Sequence, residues 1–454
     1  MITTTLGSCA EVTGSTLHSV DSEREVSGVS TDSRKIAPGE LFVCIEGERF
    51  DGATFAKEAI ARGGVAALSS KLIPGVPLVL APDGAIAALQ SLARWNRDKC
   101  PDITVVGVTG SAGKTLTKDF IAQVLNTKGL VVATKRSENN EIGLPLTVLE
   151  ADLDTKFLVL EMGARHAGDI ENLVAIARPQ ISVVTNVGLA HVEIFGSIED
   201  TQRAKSEIVQ GLDSDCYAVL NADDERVMAM KSVTKAQVLT FGQGSNADVR
   251  FENVSIDPAG STTFDLSTKT TKRVPVRLDL AGRYLASNAA AAAAVGLVCG
   301  VELSDSAKAL SEGSSPSPHR ARVKEAKGFT VIDDSYNANP EAMFAALQML
   351  KDVAGVRRKV AVIGDMRELG PESARQHELV GSMLSQFQVS VLIAVGEAAR
   401  GYVSGSSDDV VCSWAPDVAG AIEILQRTLE PDDVVLVKAS RAIGLDEVVE
   451  RLIA

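Results

Sequence analysis

The sequence lacks the features that mark secreted, zinc-structured or membrane-embedded proteins. Its six cysteines are scattered without any C-x-x-C pair, which argues against a zinc site or a disulfide framework and fits a reducing compartment. The N-terminal residues lack the basic start and apolar core of a signal peptide. The longest apolar stretch, an alanine-rich run from Ala289, is shorter than the ~20 residues that span a bilayer. We therefore expect a cytoplasmic protein without membrane insertion and interpret the alanine run as an internal helix.

The chain also lacks a block of basic residues. Its 454 residues include 45 Lys and Arg against 59 Asp and Glu, which gives a net charge of -14. Because nucleic-acid binding depends on clustered positive charge, this balance argues against a nucleic-acid partner. Small anionic ligands must then be held by local clusters of side chains.

The length and the order of the patterns predict an α/β protein of three domains. Residues 1–82 alternate short strand-like runs with a helical pattern, which indicates a small α/β module. Residues 83–314 repeat strand and helix, which is typical of a doubly wound, mostly parallel sheet, with antiparallel strands added between residues 248 and 279. Residues 315–454 begin at a serine- and proline-rich hinge and predict a Rossmann-like α/β domain.

The most informative motif is GVTGSAGKT at residues 107–115, which we call the phosphate loop. It follows an apolar strand and precedes a helical pattern. Glycines let backbone N–H groups approach a polyphosphate, a helix N-terminus favours its charge, and a lysine reaches the terminal phosphates. Val108 stands where the strict P-loop rule has its first glycine, so this is a variant loop, and the alternative is an ordinary strand-to-helix turn. The predicted ATP-binding residues of the loop are Thr109, Gly110, Ser111, Ala112, Gly113, Lys114 and Thr115.

Three further polar residues follow in the central block. Glu161 ends an apolar strand and is either a hydrogen-bond acceptor or a magnesium ligand opposite the phosphate loop, and the loop in the same block favours the ligand. His191 follows the next strand, where a structural role and a ligand role are equally compatible with the sequence. Lys205 lies in a helical pattern, where a solvated lysine is the ordinary interpretation.

The last block carries a polar cluster after the apolar strand FTVI. Asp333, Asp334 and Tyr336 follow it in the segment DDSYNANP, which favours a ligand site over a simple turn. Two other segments, TDSRKIAPG and VKASR, bring Arg34 and Arg441 next to small hydroxyl residues. Both suit carboxylate or phosphate recognition, and both are equally compatible with surface turns.

Taken together, these segments resemble the Mur ligase family, in the same order and over essentially the whole chain. The resemblance is carried by STDSRKIAPGELFVCIEGERFDG, TGSAGKT, NNEIGLPLTVLE, LEMGARHAGDIENL, TNVGLAHVEIFGS, AKSEI, DDSYNANPEAM, VIGDMRELG and VKASR. The pair DDSYNANP and GDMRELG is similar to family members that join D-alanyl-D-alanine to UDP-N-acetylmuramoyl-tripeptide in peptidoglycan precursor synthesis. The resemblance implies an ATP-dependent, ADP-forming amide ligase that works through an acyl phosphate.

The resemblance also implies a role for each domain and for individual residues. An N-terminal domain would bind the UDP-sugar, a central domain ATP, and a C-terminal domain the dipeptide, in a protein that is a monomer. Lys114, Glu161, His191 and Lys205 would be catalytic. Thr115 and Glu161 would hold one Mg²⁺, whereas His191 and a carbamylated Lys205 would serve a second. The other implied ATP contacts are Asn288, Arg320, Asp334 and Tyr336. The implied substrate contacts are Ser33, Arg34, Asn139, Asn140, Asn337, Lys438, Ser440 and Arg441.

The sequence departs from the family pattern at four places, two of which are Ala53, where a histidine is common, and Ala439, where the family has the glycine of K-G-S-R. Arg136 and Ser137 precede the asparagine pair where the family has Gly-Asn, and Tyr284 and Leu285 stand where it has His-Asn. These departures motivate an alternative, a nucleotide-binding scaffold without turnover. The phosphate and metal residues are intact, and the ligase is therefore our prediction.

Overall fold

The computed structural model describes residues 1–47, 50–188, 195–313, 317–326 and 328–454. Within these ranges we found no helix both long enough and apolar enough to cross a membrane. The α/β architecture has three larger sheets, in the order predicted from the sequence.

The elements follow one another along the chain with these bounds. The strands are β1 (Thr4–Thr5), β2 (Thr16–His18), β3 (Glu25–Val26), β4 (Gly28–Ser30), β5 (Glu40–Val43), β6 (Ala66–Ser69), β7 (Leu78–Leu80), β8 (Thr104–Thr109), β9 (Val131–Ala133), β10 (Phe157–Glu161), β11 (Ile181–Val184), β12 (Tyr217–Asn221), β13 (Gln237–Gly242), β14 (Val249–Ile256), β15 (Thr262–Thr268), β16 (Val274–Leu278), β17 (Arg322–Ala326), β18 (Phe329–Asp333), β19 (Lys359–Gly364), β20 (Val391–Val395), β21 (Val411–Ala415) and β22 (Val434–Lys438). The helices are α1 (Leu6–Thr13), α2 (Ala56–Ala61), α3 (Ala85–Asp98), α4 (Lys114–Leu125), α5 (Gly143–Leu149), α6 (Asp169–Ala177), α7 (Ile198–Gln210), α8 (Glu225–Ala229), α9 (Leu285–Val298), α10 (Leu303–Glu312), α11 (Pro340–Ala354), α12 (Ser373–Met383), α13 (Arg400–Gly405), α14 (Val418–Thr428) and α15 (Asp446–Ile453). Short 3₁₀ helices cover Gly52–Phe55, Met230–Ser232, Gly370–Glu372 and Arg441–Ile443.

The N-terminal sheet has five strands in the order β2-β7-β6-β5-β4. Strands β4 to β7 run parallel, and β2 pairs antiparallel with β7 at one edge. Every residue of β6 is buried, as is usual for an inner strand covered on both faces. The small α/β module predicted from the alternating patterns is confirmed.

The central sheet has nine strands in the order β16-β15-β14-β13-β12-β11-β8-β10-β9. Strands β8 to β14 are parallel, and β14, β15 and β16 form an antiparallel meander at one edge. The predicted antiparallel addition is therefore confirmed. Strand β8 pairs with β10 on one side and β11 on the other, so the chain order reverses around it. Such a switch point opens a crevice at the carboxyl ends of the strands.

The alanine-rich run forms α9, which is buried against α4 and the central sheet. Alanine side chains allow the two helix axes to approach closely. The approach is so close that a Cβ on Gly296 would lie 2.8 Å from the Val124 side chain. The prediction of an internal helix is confirmed, and this helix supports the helix that follows the phosphate loop.

The C-terminal sheet has six strands in the order β17-β18-β22-β19-β20-β21. All neighbouring pairs are parallel except the edge pair β17 and β18. Strands β19, β20 and β22 are buried throughout, which matches their continuous apolar sequences. The predicted Rossmann-like domain is confirmed. Of the predicted hinge, residues 314–316 lie outside the described part of the chain.

Candidate active site

A cavity of about 1200 Å³ lies between the carboxyl ends of the central strands and those of the C-terminal strands. Its walls combine the phosphate loop with the segments that follow β10, β18, β19 and β22. Most of the residues predicted from the sequence therefore meet in one place. The predicted residues that line the cavity are Ser111, Ala112, Gly113, Lys114, Thr115, Asn139, Asn140, Glu161, Lys205, Asn288, Arg320, Asp334, Tyr336, Asn337, Lys438, Ser440 and Arg441.

Four of the predicted residues that the structure describes do not line this cavity. Thr109 and Gly110 lie directly behind it, where the Thr109 hydroxyl donates to the Met162 carbonyl at 2.8 Å. Ser33 and Arg34 belong to the N-terminal sheet and its loops, away from the described cavity lining. His191 lies outside the described residues.

The phosphate loop is shaped by the end of β11. Gly110 has φ +151°, and a Cβ there would collide with the Thr185 hydroxyl, so only glycine fits. The Ser111 N–H donates to the Asn186 carbonyl at 3.0 Å, and the Ala112 N–H donates to Asn186 Oδ1 at 2.8 Å. The Thr185 hydroxyl donates to the Ala112 carbonyl at 2.6 Å. Thr185 and Asn186 were not among the residues predicted from the sequence. The segment TNVG, directly after an apolar strand, could have indicated them.

The other end of the phosphate loop meets the alanine helix. Gly113 has φ +81°, and a Cβ there would lie 2.9 Å from Asn288 Oδ1. Asn288 Nδ2 is buried with no hydrogen-bond partner among the described residues. A buried amide donor without an acceptor is costly, and a base or sugar acceptor bound beside the loop would satisfy it. Helix α4 begins at Lys114, so the N–H groups of its first turn face the same space.

Lys114 extends across the phosphate loop and closes it. Its ammonium donates to the Gly110 carbonyl at 2.8 Å. Burial lowers the pKa of Lys114, the nearby Glu161 carboxylate opposes that shift, and Arg320 reinforces it. Burial makes the charge of Lys114 costly, and an added phosphate would compensate the positive charges of Lys114 and Arg320. The pocket therefore attracts an anion.

Glu161 is 1% exposed and is oriented by two hydrogen bonds. Its N–H donates to the Thr134 hydroxyl at 3.0 Å, and Asn139 Nδ2 donates to its Oε1 at 2.7 Å. Its other carboxylate oxygen, Oε2, is buried without a hydrogen-bond partner among the described residues. An unsatisfied buried carboxylate oxygen is expensive and is the kind of ligand that Mg²⁺ prefers.

A buried ion pair behind the phosphate loop supports this carboxylate. Lys118, on the same helix as Lys114, pairs with Asp119 and donates to the Thr134 carbonyl at 2.7 Å. The Thr134 hydroxyl accepts the Glu161 N–H, so the contact from Lys118 to Thr134 holds the end of β9 next to Glu161. Helix α4 therefore carries both the phosphate-binding lysine, Lys114, and the lysine that supports Glu161. In the sequence, Lys118 could not be distinguished from an ordinary helix lysine.

Replacing Lys118 with methionine should destabilise the fold. The change removes the Lys118 ammonium from its buried pair with Asp119 and from the Thr134 carbonyl, and breaking a buried pair from one side costs about 3 kcal/mol. We expect the urea midpoint to fall accordingly. Lys128→Met, a change of the same kind at an exposed lysine just beyond this helix, should leave the midpoint unchanged. Equal midpoints for the two variants would mean that the ion pair contributes nothing to stability.

Lys205 lies on α7 and is 2% exposed, so its interpretation as a solvated helix lysine is wrong. The reason is tertiary, since α7 packs this residue toward the phosphate loop and leaves its ammonium 6.0 Å from the centre of the Phe195 ring. Burial lowers the pKa of Lys205 to about 7, and repulsion from Lys114 adds to the shift. At neutral pH a substantial fraction of this side chain is therefore an uncharged amine.

Two residues of the C-terminal unit reach the nucleotide side of the cavity. The Arg320 guanidinium stacks 4.1 Å from the centre of the Tyr336 ring, and its buried Nε has no hydrogen-bond partner among the described residues. The Tyr336 hydroxyl donates to Ser137 Oγ in the central unit at 2.9 Å. This contact joins two domains directly, and it uses a serine at which the sequence departs from the family pattern.

The C-terminal wall is organised by Lys438. Its ammonium is buried and donates to Asp334 Oδ2 at 2.6 Å and to the Asn337 carbonyl at 2.8 Å. Asp334 Oδ1 in turn accepts the Ala321 N–H at 3.2 Å. This geometry favours a positioning role for Lys438 over the substrate-binding role expected from the sequence, because its charge is already neutralised.

Five other predicted substrate residues have side-chain partners within the protein, and one of them is Arg441, which pairs with Asp446. Arg34 is 78% exposed, and its two-pronged contact with Asp32, at 2.8 and 2.9 Å, holds the pKa of that carboxyl at about 2. The Ser33 hydroxyl donates to Glu58 at 3.4 Å. Asn140 Oδ1 accepts the Gly143 N–H at 2.9 Å at the start of α5, and Ser440 Oγ accepts the Arg367 N–H at 2.9 Å.

Comparisons with known proteins agree with this geometry. The models described as "Mur ligase family, catalytic domain", "Mur ligase middle domain" and "Mur ligase, glutamate ligase domain" match residues 25–77, 108–296 and 319–441. The UDP-N-acetylmuramoyl-tripeptide--D-alanyl-D-alanine ligase of Mycobacterium leprae is 38% identical, with 100% of this chain and 99% of that protein covered. This chain belongs to the Mur ligase family. The resemblance seen in the sequence motifs is thus confirmed.

Solved structures place this Mur ligase in the same context. It superposes on MurF from Acinetobacter baumannii with a TM-score of 0.91 and 29% identity, covering 99% of both chains. MurF ligase from Thermotoga maritima, solved in complex with ADP, matches with a TM-score of 0.83 and 31% identity, covering 94% of this chain and 96% of that one. The three-unit α/β architecture is therefore the family architecture, and one member with this architecture has been solved with ADP bound.

Proposed function

We propose that this Mur ligase uses ATP to join the amine of D-alanyl-D-alanine to the terminal carboxylate of UDP-N-acetylmuramoyl-tripeptide, in peptidoglycan precursor synthesis. The observation that carries the proposal is the single cavity in which the phosphate loop faces the strand ends of the C-terminal unit. The full-length likeness to relatives named for this reaction supports it. ATP and UDP-linked sugars are cytoplasmic metabolites, so we expect the protein to act in the cytoplasm.

The chemistry explains why a phosphate site and an amine site share one cavity. A carboxylate is a poor electrophile at neutral pH, and transfer of the γ-phosphoryl group to its oxygen creates an acyl phosphate with a good leaving group. The dipeptide amine then attacks the acyl carbon, and phosphate departs. In this proposal Lys114 stabilises the charge of the transferring phosphoryl group, and Arg320 adds a second cation from the other domain.

The residues around Glu161 suit magnesium. Such ions are held in nucleotide sites by one or two protein ligands, with phosphate and water oxygens completing the shell. That fits Glu161 Oε2, which has no hydrogen-bond partner among the described residues. When bound, magnesium would neutralise charge on the phosphate oxygens. We propose that Thr115 and Glu161 hold one ion, and that His191 and a carbamylated Lys205 hold a second.

The remaining residues distribute over the substrates. We propose that residues 1–82 bind the UDP-sugar through Ser33 and Arg34, that residues 83–314 bind ATP, and that residues 315–454 receive the dipeptide. Asn288 would contact the adenosine, since its amide donor has no other described partner. Asn139 and Asn140 would face the muramoyl side, and Asn337, Ser440 and Arg441 the dipeptide side. We further propose that the enzyme works as a monomer.

A substrate panel read by phosphate release tests the proposal. We expect release that requires ATP, UDP-N-acetylmuramoyl-tripeptide and D-alanyl-D-alanine together, with ADP as the other nucleotide product. The control omits each substrate in turn and replaces the dipeptide with single amino acids. Turnover with a single amino acid would move the chain to a sister reaction of the family. Nucleotide binding without turnover on any muramoyl peptide would favour the scaffold alternative.

A further inference from the structure

The C-terminal wall of the cavity carries three cations at the ends of neighbouring strands, and their charges are engaged to different degrees. Lys438 is buried and paired with Asp334. Arg441 Nη1 donates to Asp446 Oδ2 at 2.7 Å. The third cation, Arg367, follows β19 in the segment GDMRELG. Because Lys438 and Arg441 already have carboxylate partners, neither is free to bind a substrate carboxylate without giving one up.

Arg367 differs from both because its guanidinium has only a long ion-pair contact, with Asp365, and no hydrogen bond among the described residues. Among the described residues its side chain donates no hydrogen bond, and the nearest carboxylate oxygen, Asp365 Oδ2, is 3.8 Å from Nη2, beyond hydrogen-bond distance. Asp365 is itself committed, since its Oδ1 accepts the Ala399 N–H at 2.8 Å. The Arg367 side chain is 60% exposed and lines the cavity. The C-terminal side of the cavity therefore carries a cation that is held only loosely by its carboxylate partner.

The backbone beneath this arginine is held from two directions. The Arg367 N–H donates to Ser440 Oγ at 2.9 Å, and the Ser440 N–H donates to the Asp365 carbonyl at 3.1 Å. The next residue, Glu368, has φ +63°, a backbone conformation that residues other than glycine adopt at a cost. Its carboxylate lies 3.9 Å from Arg165 of the central unit. An arginine whose backbone is held in place and whose guanidinium has no close partner is suited to bind a ligand.

We propose that Arg367 binds the carboxylate of the incoming D-alanyl-D-alanine and so selects a dipeptide that carries a free C-terminal acid. The inference rests on the proposed function, in which the amine of the dipeptide reacts and its carboxylate does not. A guanidinium pairs with a carboxylate through two parallel hydrogen bonds. In an extended dipeptide the carboxylate lies about 7 Å from the amine, so its partner must stand apart from the phosphate loop. Arg320 is unsuited to this role because it stacks on Tyr336 near Lys114.

The test compares Arg367→Gln with Arg375→Gln, an exposed arginine that pairs with Glu372 on the surface. We expect Arg367→Gln to raise KM for D-alanyl-D-alanine about 10- to 100-fold, with KM for ATP unchanged. Arg375→Gln should match the unsubstituted enzyme. Arg367→Lys should recover part of the loss, because it restores the charge without the planar fork.

A second substrate separates carboxylate recognition from a structural effect. The unsubstituted enzyme should prefer D-alanyl-D-alanine over its C-terminal amide, and Arg367→Gln should lose most of that preference. The role of Arg367 would be overturned if Arg367→Gln left KM for D-alanyl-D-alanine unchanged or kept the preference for the dipeptide over its amide. It would also be overturned if Arg441→Gln, and not Arg367→Gln, raised this KM and lost this preference. If the unsubstituted enzyme shows no turnover with the dipeptide and the muramoyl tripeptide, the proposed function itself fails, and this inference with it.

Discussion

Lys114→Ala should lower the rate of ATP-dependent phosphate release by about 10³-fold or more while the protein remains folded. The ammonium group of Lys114 lies in the phosphate loop and donates to the Gly110 carbonyl at 2.8 Å. A phosphoryl group that passes from ATP to a carboxylate carries negative charge on its peripheral oxygens, and alanine supplies nothing to balance it. Loss of one neutral acceptor contact costs the fold only about 1 kcal/mol.

The experiment measures phosphate release under saturating substrates, together with the thermal midpoint of each variant. Lys128→Ala, at an exposed lysine just past the same helix, is the matched control and should behave as the unsubstituted enzyme. Activity of Lys114→Ala within tenfold of the unsubstituted enzyme would contradict the role given to this lysine. A large fall in its thermal midpoint would show that the side chain acts on the fold instead.

Lys205→Ala should reduce turnover by about 10²- to 10³-fold, and an added short carboxylic acid should restore part of it. The direction of both effects, the loss of turnover and its partial recovery, follows from the chemistry of the site. Burial lowers the pKa of Lys205 to about 7, so the uncharged amine, which is the form that reacts with carbon dioxide, becomes more abundant as the pH rises through 7. The resulting carbamate is an anion, and a small acid that diffuses into the vacated space can replace its charge.

Two measurements check this prediction. Enzyme equilibrated with ¹³C-labelled bicarbonate should show a carbamate carbon signal by NMR that Lys205→Ala lacks. The added acid should raise the activity of Lys205→Ala and leave Lys114→Ala inactive, which separates filling of this site from a general effect of the acid. Full activity of Lys205→Ala would rule out a catalytic role for the residue, and absence of the carbamate signal would rule out the modification.

Much of the site could be predicted because its signals are local. The turn from β8 into α4 depends on glycines at positions 110 and 113 and on Lys114 next to a helix start, and all of these lie within one short segment. The contacts that shape this loop could not be predicted in the same way. Thr185 and Asn186 lie more than 70 residues further along the chain, and their side chains hydrogen-bond to the backbone of Ala112. Such single contacts leave no periodic pattern in a sequence.

Long-range pairs decided which predicted residues are free to act. Lys438 and Asp334 are 104 residues apart in sequence, yet they form a buried ion pair that occupies the ammonium. Tyr336 and Ser137 are 199 residues apart and connect two domains. In both cases the residue type was visible in the sequence, whereas the partner that fixes its role was not.

The sequence by itself determined the three α/β units, the phosphate loop and the set of strand-end residues, because backbone propensity, hydrophobic periodicity and turn chemistry act over a few neighbouring residues. Only the tertiary structure decided that Lys205 is buried, that Glu161 keeps one carboxylate oxygen free and that Arg367 rather than Lys438 has an available charge. Burial and charge pairing depend on groups that distant segments bring together, and no local pattern encodes that proximity.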